Sequence, residues 1–445
     1  MKRSKMLAMG CNKMAANATN YDLNKKWLRF PAALLLFFAL NFAIEHLVTS
    51  PNRVLDEEAI RNSDSETRQQ GRWAWWLARG YLMRPRTADI AIFGSSQIGA
   101  ATFSSDAFNL KKDLDCVTHR HMSTLEHLLE QQTGRHVETV NLGMGGAMIS
   151  DAYMLSQALF REGQSPSMAI ITVSPRDFID NDLVAPSATD TFKFLAPYVK
   201  LDGLEEAAYP EIFSRFDWFL NQSIALKRTQ QSMQKSLINS LTALLPPSST
   251  SDKLTISGAK QQDKRVFLQA ISGSAGEVKP GEWVVPAVTP PDLWMDNTKE
   301  YLHRYKESHP PVYKCEKQFF TALLANLQAK RIQVLVVEMP SMEMNRKLLP
   351  DSFWKEHKAW LAETCTKYGA DVYDISDNNT FIKAHYLDTV HLNSRGGTLV
   401  FMGIADQITK NPKLAALVKA PTPNLRQHPT DPDDVGASAA VGSWH

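Results

Sequence analysis

The sequence predicts an α/β protein built on a doubly wound parallel sheet. Three observations predict it. Five short, β-branched apolar runs alternate with helical patterns, the rhythm that strand–helix–strand units give. Each run is bounded by Gly, Pro or polar residues, as strands buried on both faces are. The chemistry-bearing residues fall where those runs end, on the rim where open α/β sheets bind ligands.

The chain has 445 residues, with 49 basic against 47 acidic side chains and a net charge of +2. That balance lacks the basic excess a nucleic-acid binder needs, so no nucleic acid is expected as a partner. Hydrophobic residues make up 44% and charged residues 22%, which excludes a disordered chain and a multi-span transporter. Four cysteines in this length exclude a disulfide scaffold.

Residues 1–29 hold seven basic side chains against the single acid Asp22, and the apolar run Phe30–Ile44 follows, broken only by Asn41. A cleavable signal would need small residues after it, but Val48-Thr49-Ser50 is followed by Pro51, which blocks cutting. The segment is therefore expected to be an uncleaved anchor. Residues 1–26 form a cytoplasmic tail, 27–48 a single transmembrane helix, and the rest lies outside, periplasmic or extracellular. A buried core helix is the alternative. Residues 49–87 then read as a stalk with a membrane-proximal helix, whose aromatics Trp73, Trp75, Trp76 and Tyr81 sit at lipid headgroups or pack under the main domain.

The main domain is expected over 88–420. Its strands are Ala88–Gly94, Val137–Gly143, Met168–Pro175, Val334–Pro340 and Ala370–Ile375. Helical patterns cover Met122–Gln132, Asp151–Arg161, Glu316–Lys330, Phe353–Tyr368 and Arg395–Ile408. Residues 183–312 interrupt the rhythm. They are helical around 204–244 and then polar and turn-rich, so they read as an inserted lid or docking surface. Residues 421–445 are low-complexity and expected to be disordered. Cys315 and Cys365 sit on helices flanking one strand, where they either pair or remain separate buried thiols.

Four polar motifs mark the strand ends: Gly94-Ser95-Ser96, Asn141 to Gly146, Ser174-Pro175-Arg176-Asp177, and Asp388-Thr389-Val390-His391. A serine on a tight strand-to-helix turn is exposed, and the helix amino end behind it favours negative charge. Asp388 and His391 are three apart, so one turn of chain puts both on one side. The carboxylate then fixes the imidazole tautomer, and the other ring nitrogen takes a proton from serine. Glycines after the second strand let backbone N–H groups approach a developing oxyanion.

With these motifs the sequence resembles the SGNH (GDSL-like) hydrolase superfamily. The resemblance implies a flavodoxin-like three-layer α/β/α sandwich, here with the long helical and loop insertion and the amino-terminal anchor. The family's G-D-S block stands as Gly94-Ser95-Ser96, which implies Ser96 as nucleophile and Ser95 in the aspartate's place. The N-x-x-x-x-G block matches Asn141 through Gly146, implying oxyanion N–H groups from Ser96 and Gly146. The D-x-x-H block matches Asp388 and His391 and runs on to Asn393. The G-x-N-D block departs: Arg176 stands where the family has an oxyanion asparagine. Ser95, Asn141 and Asn393 are carried over as substrate-binding residues. Taken with the expected anchor, the pattern is similar to membrane-anchored SGNH-type acyl-transfer proteins of the cell envelope, which act in lipoteichoic acid D-alanylation and polysaccharide O-acetylation.

The function this implies is a serine esterase or O-acyltransferase acting on an acyl ester of an envelope polysaccharide or lipid-linked substrate. It needs no cofactor and has a membrane acyltransferase as candidate partner. A non-catalytic glycan-binding or assembly protein of the same fold is the alternative. Each motif also has a plainer reading. Ser95 and Ser96 are good helix caps, His391 alone would be a structural histidine, and Arg176 serves a salt bridge as readily as a substrate. Cys116, His119 and His121 look like a metal cluster but lack the four-ligand spacing of a zinc site, so no metal is expected. Phosphate-binding, H-E-x-x-H and G-x-S-x-G motifs are absent.

Overall fold

The computed structural model describes residues 30–43, 54–224, 278–288 and 294–419. The chain divides into two units: Met1–Arg53 with Glu211–Ile256, and Val54–Pro210 with Ser257–His445. The second unit carries an α/β fold around a parallel sheet of five strands: β1 (Ile90–Phe93), β2 (Thr139–Asn141), β3 (Met168–Val173), β4 (Gln333–Glu338) and β5 (Asp371–Asp374). Their spatial order is β2-β1-β3-β4-β5, all parallel. The order reverses at β1, so the carboxyl ends of β2, β1 and β3 meet at a topological switch point, the place where such sheets open a crevice.

Alternation along the strands divides the core in two. Ile90, Ile92, Met168, Ile170, Leu335 and Val337 share one cluster with Ile98, Leu125, Val400, Phe401 and Ile404. That face is covered by α2 (Ser96–Leu110), α3 (Ser123–Thr133) and α7 (Ser394–Lys410). Strand residues of the opposite parity meet a second group, α1 (Ser65–Leu82), α4 (Ile149–Leu159) and α5 (Pro311–Ala329). There Phe93 and Tyr81 both lie 5.5 Å from the Phe160 ring. Helix α6 (Asp351–Lys367) closes that side beside β5. All five strands fall on the runs read from the sequence. Helices α3 to α7 fall on the helical patterns too, with ends displaced by a few residues, as caps and fraying allow, whereas α2 lies outside them.

Three expectations are corrected. Of the membrane anchor expected over 27–48, the structure describes a helix over 30–43. Among the described residues no helix is long and apolar enough to cross a membrane, and the single-pass topology with an outside-facing domain falls with the anchor. The rest of the expected span and the tail over 1–26 lie outside the described residues. The stalk over 49–87 is also not a separate piece. In α1 the residues Trp73, Trp75, Tyr81 and Leu82 are buried in the α/β unit, and the Tyr81 hydroxyl donates to the Gln164 carbonyl. Finally, much of the 183–312 insertion is core. Phe192 and Leu195, on the helix Asp190–Leu195, are fully buried. Its return arm adds Val284–Val285 antiparallel to Leu114–Asp115. Of the expected helix around 204–244, the described part is Glu205–Ala208 and Ile212–Ser223, the latter in the first unit. Residues 225–277 and the tail 421–445 lie outside the described residues. Cys116, Cys315 and Cys365 are unpaired and buried, so the pairing alternative is not realised. Burial raises all three thiols, Cys365 to about 12.

One contact sets how close α7 lies to α2. A Cβ on Gly397 would stand 2.3 Å from the Ala101 carbonyl oxygen, so only hydrogen fits. Gly99, on α2 itself, has room: its Cβ would meet nothing nearer than Phe103 at 3.7 Å. Gly397→Ala is expected to cost about 2 kcal/mol or more by overpacking. Gly99→Ala is expected to be neutral or to add up to ~1 kcal/mol through helix propensity. Urea titrations of the two variants beside the parent check this, and equal effects would contradict it.

Candidate active site

Ser96, His391 and Asp388 meet at the switch point. Gly94 ends β1 with φ +159°, where a Cβ would stand 1.9 Å from Thr172 Oγ1 on β3. Only glycine lets the chain turn there into α2. Ser95 occupies the N-cap position of α2 but makes no side-chain cap bond. Ser96, the next residue, points its hydroxyl at His391 instead. The plain capping reading therefore does not describe these two serines.

The Ser96 Oγ lies 2.7 Å from His391 Nε2. His391 Nδ1 lies 2.6 Å from Asp388 Oδ2. A carboxylate only accepts, so Nδ1 carries the proton, Nε2 is the acceptor, and the serine O–H donates to it. The second carboxylate oxygen, Oδ1, accepts the backbone N–H groups of Val390 (2.8 Å) and His391 (2.7 Å). Both oxygens of Asp388 are thus engaged and its orientation is fixed. All three side chains are nearly shut from solvent, at 9% for Ser96, 5% for His391 and 3% for Asp388. Burial alone would push the imidazole pKa down. The Asp388 charge and hydrogen bond, helped by Glu300, outweigh that and raise it, while Arg176 pulls the other way.

The loop that carries the pair is itself clamped. Leu387 N–H donates to the His391 carbonyl at 2.8 Å, and Tyr386 bridges to Leu392. Thr389 donates from N–H (3.1 Å) and Oγ1 (2.5 Å) to Asn297 Oδ1, and Thr389 Oγ1 accepts from Asn345 Nδ2 at 3.1 Å. Met295 N–H donates to the Leu387 carbonyl at 2.8 Å. Residues 295–297 belong to the insertion, so the insertion supports the loop carrying Asp388 and His391 directly. Reading the sequence missed Asn297 for a simple reason: it sits in a polar stretch with no periodicity.

The glycine loop after β2 packs beside the serine turn, with Met144 N–H donating to the Gly94 carbonyl at 3.1 Å. Gly146 is exposed with φ +75°, and a Cβ there would lie 3.9 Å from Arg176 Nη2. Arg176 is 9% exposed and donates from Nη1 to the Ala147 carbonyl (2.7 Å) and from Nη2 to Asp180 Oδ2 (3.0 Å). It therefore lies against the proposed oxyanion glycine rather than out in solvent. Asp177 Oδ2 accepts from the N–H (2.8 Å) and hydroxyl (3.1 Å) of Ser174. Burial raises its carboxyl, with Arg176 and the Ser95 hydroxyl opposing.

Two residues assigned to substrate have other work. Asn141 is fully buried, and its Oδ1 accepts the Gly143 N–H at 2.8 Å, holding the turn that shapes the glycine loop. Asn393 caps α7: its Oδ1 accepts from Arg395 N–H (3.1 Å) and Gly396 N–H (3.2 Å), and its Nδ2 donates to the Ala384 carbonyl at 2.8 Å. The trio Cys116, His119 and His121 does not converge either. His119 Nε2 pairs with Asp106 at 2.8 Å, and Cys116 is a buried, unpaired thiol. His121 lies instead near Glu126 and Glu138, three groups close enough to share an ion. Arg84 (2.8 Å) and Arg86 already compensate Glu138 there, leaving its charge unavailable to a metal.

Asn393→Ala should remove the α7 cap at a cost of about 1 kcal/mol while leaving the KM for an ester substrate unchanged. A raised KM with unaltered stability would return Asn393 to the substrate site. Thermal melting and initial rates decide between the two. The chain matches no family model and no curated protein, so the reading of the site rests on its geometry.

Proposed function

We propose that this protein is a serine-dependent esterase or acyltransferase of SGNH type. The observation that carries the reading is the continuous hydrogen-bond line Ser96–His391–Asp388, at 2.7 and 2.6 Å. The strand order β2-β1-β3-β4-β5, with the serine at the end of β1, supports a flavodoxin-like SGNH fold.

In this reading Ser96 Oγ attacks the ester carbonyl carbon, and its proton passes to His391 Nε2. The C–O bond to the alcohol breaks, and the alcohol leaves with the proton from His391, giving an acyl-Ser96. Water or a second alcohol, deprotonated by His391, then attacks the acyl carbon and frees the serine. Asp388 holds the imidazole tautomer throughout and stabilises the imidazolium. The N–H groups of Ser96, at the amino end of α2, and of Gly146 take the oxyanion, with Arg176 beside them. One such donor is typically worth ~3 kcal/mol in the transition state. The preference for an envelope polysaccharide leaned on a membrane anchor. With that anchor overturned, the proposal is made at the level of the acyl ester.

Labelling of the full chain with a fluorophosphonate tests the reading. Label is expected in the parent and lost in Ser96→Ala and His391→Ala. A folded parent that neither labels nor hydrolyses p-nitrophenyl acetate would overturn it. A second test uses pH. Because the His391 pKa is raised and the neutral ring is the base, kcat/KM should climb with an inflection above the ordinary imidazole value of about 6.5. Asp388→Asn removes the charge that raises it. The inflection should then move to lower pH, with kcat falling on the order of 10³–10⁴-fold.

A further inference from the structure

Arg176 replaces a neutral amide in the oxyanion region, and a cation there needs to be aimed and its charge left uncancelled. Asp180 bears on both. Its side chain is 1% exposed, and its Oδ2 accepts Arg176 Nη2 at 3.0 Å and Arg304 Nη1 at 2.5 Å. Arg304 is donated by the insertion, from the carboxyl end of the helix Thr298–Arg304. That end is locked to the same loop. Asn181 donates from N–H (3.1 Å) and Nδ2 (2.7 Å) to the Arg304 carbonyl, and from Nδ2 to the Glu307 carbonyl at 3.0 Å. Glu300 holds the guanidinium from the other side at 3.0 Å.

We propose that Asp180 and Arg304 are positioning residues for acyl transfer, which fix the Arg176 guanidinium against Gly146 and leave its charge available to the oxyanion. The inference rests on the acyl-transfer reading above and extends it to the insertion. Geometry and charge both support it. Arg176 spends Nη1 on the Ala147 carbonyl and, at 3.7 Å, on the Met148 sulfur, and one N–H of Nη2 on Asp180, so Nη2, the nitrogen nearest Gly146, keeps a second N–H. An isolated Asp180 would aim Arg176 but also cancel its charge across 3.0 Å. Arg304 shares that carboxylate oxygen at 2.5 Å while Glu300 holds its far side at 3.0 Å, so Asp180 divides its charge between two guanidiniums and does not cancel Arg176 alone. Asp177 lies farther off, 4.0 Å from Arg176 Nη1.

The test is a double-mutant cycle on the full chain, with Arg176→Ala, Arg304→Gln and the two combined, read as kcat and KM on p-nitrophenyl acetate. Arg304→Gln is expected to lower kcat about 10- to 100-fold, with KM within about twofold. Added to Arg176→Ala it should cost little more, because its effect passes through Arg176. Arg304→Lys should recover part of the loss and replaces Arg304→Gln in the cycle if the latter does not fold. Additive losses, or an unchanged kcat in Arg304→Gln, would overturn the positioning role while the parent's activity left the reaction intact. An inert but folded parent would overturn the reaction and this inference with it.

Discussion

A carboxylate at 3% exposure is the constraint on which the site depends. An ion so far from water survives only with every lone-pair direction answered. Asp388 is answered by two backbone N–H groups on one oxygen and the His391 Nδ1–H on the other. Those bonds force residues 388–391 into one tight turn, and the turn fixes where the imidazole points. Once Nδ1 faces Asp388, Nε2 has a single direction left, and Ser96 Oγ lies on it at 2.7 Å. The serine arrives there because Gly94 permits the sharp exit from β1 and because Gly397 lets α7 touch α2. Two missing side chains thus set the distance between a hydroxyl and an imidazole 295 residues apart in sequence.

The insertion is bound into this arrangement at two places. Asn297 grips Thr389 beside the carboxylate, and Arg304 reaches Asp180 behind Arg176. Between them runs the short helix Thr298–Arg304, with Tyr301 and the following Tyr305 buried at 5% and 7% exposure. Burial raises both phenols, and the neighbouring Asp388 and Asp177 charges add to it. They remain neutral hydrogen-bonding groups at any ordinary pH. The segment therefore works as a strap between the loop carrying Asp388 and His391 and the loop carrying Arg176. A long interruption of the α/β rhythm was expected to form a lid or a docking surface. Residues 295–307 instead hold two of its loops at once.

How much of this was legible in the sequence follows from what each feature depends on. The strands were legible because burial on both faces demands unbroken β-branched runs, and Val334–Pro340 is such a run. Ser96, Asp388 and His391 were legible because each lies in a short motif at a strand or helix end. Strand order was not, since nothing in the residues of β1 says that β2 and β3 flank it. The part played by Asn141 was not legible, because an asparagine in a glycine-rich turn serves backbone and ligand equally well on paper; in the fold it is buried and its Oδ1 accepts the Gly143 N–H. Asn393 shows the same ambiguity at a helix start. The anchor was read from a basic flank and an apolar run of marginal length, and among the described residues no helix is long and apolar enough to cross a membrane.

Arg176 is where sequence pattern and structure bear on each other most. An asparagine in its place would offer one neutral donor, reorientable and indifferent to nearby acids. A guanidinium offers a fixed fork and a full charge, but that charge attracts every carboxylate in reach. Asp151, Asp177, Asp180 and Glu316 are all buried in this region. Their pulls differ. Glu316 spends both oxygens on the Ser150 N–H and hydroxyl, and burial raises its carboxyl well above the usual range. Burial likewise raises Asp151 to about 6, and it raises Asp177. Desolvation thus weakens the claim of three of the four acids on Arg176, because it favours their neutral forms. Asp180 holds Arg304 at 2.5 Å as well as Arg176. A cation in an acidic interior keeps its reach only if its neighbours are discharged or matched, and here three are pressed toward neutrality and the fourth is matched by a second arginine.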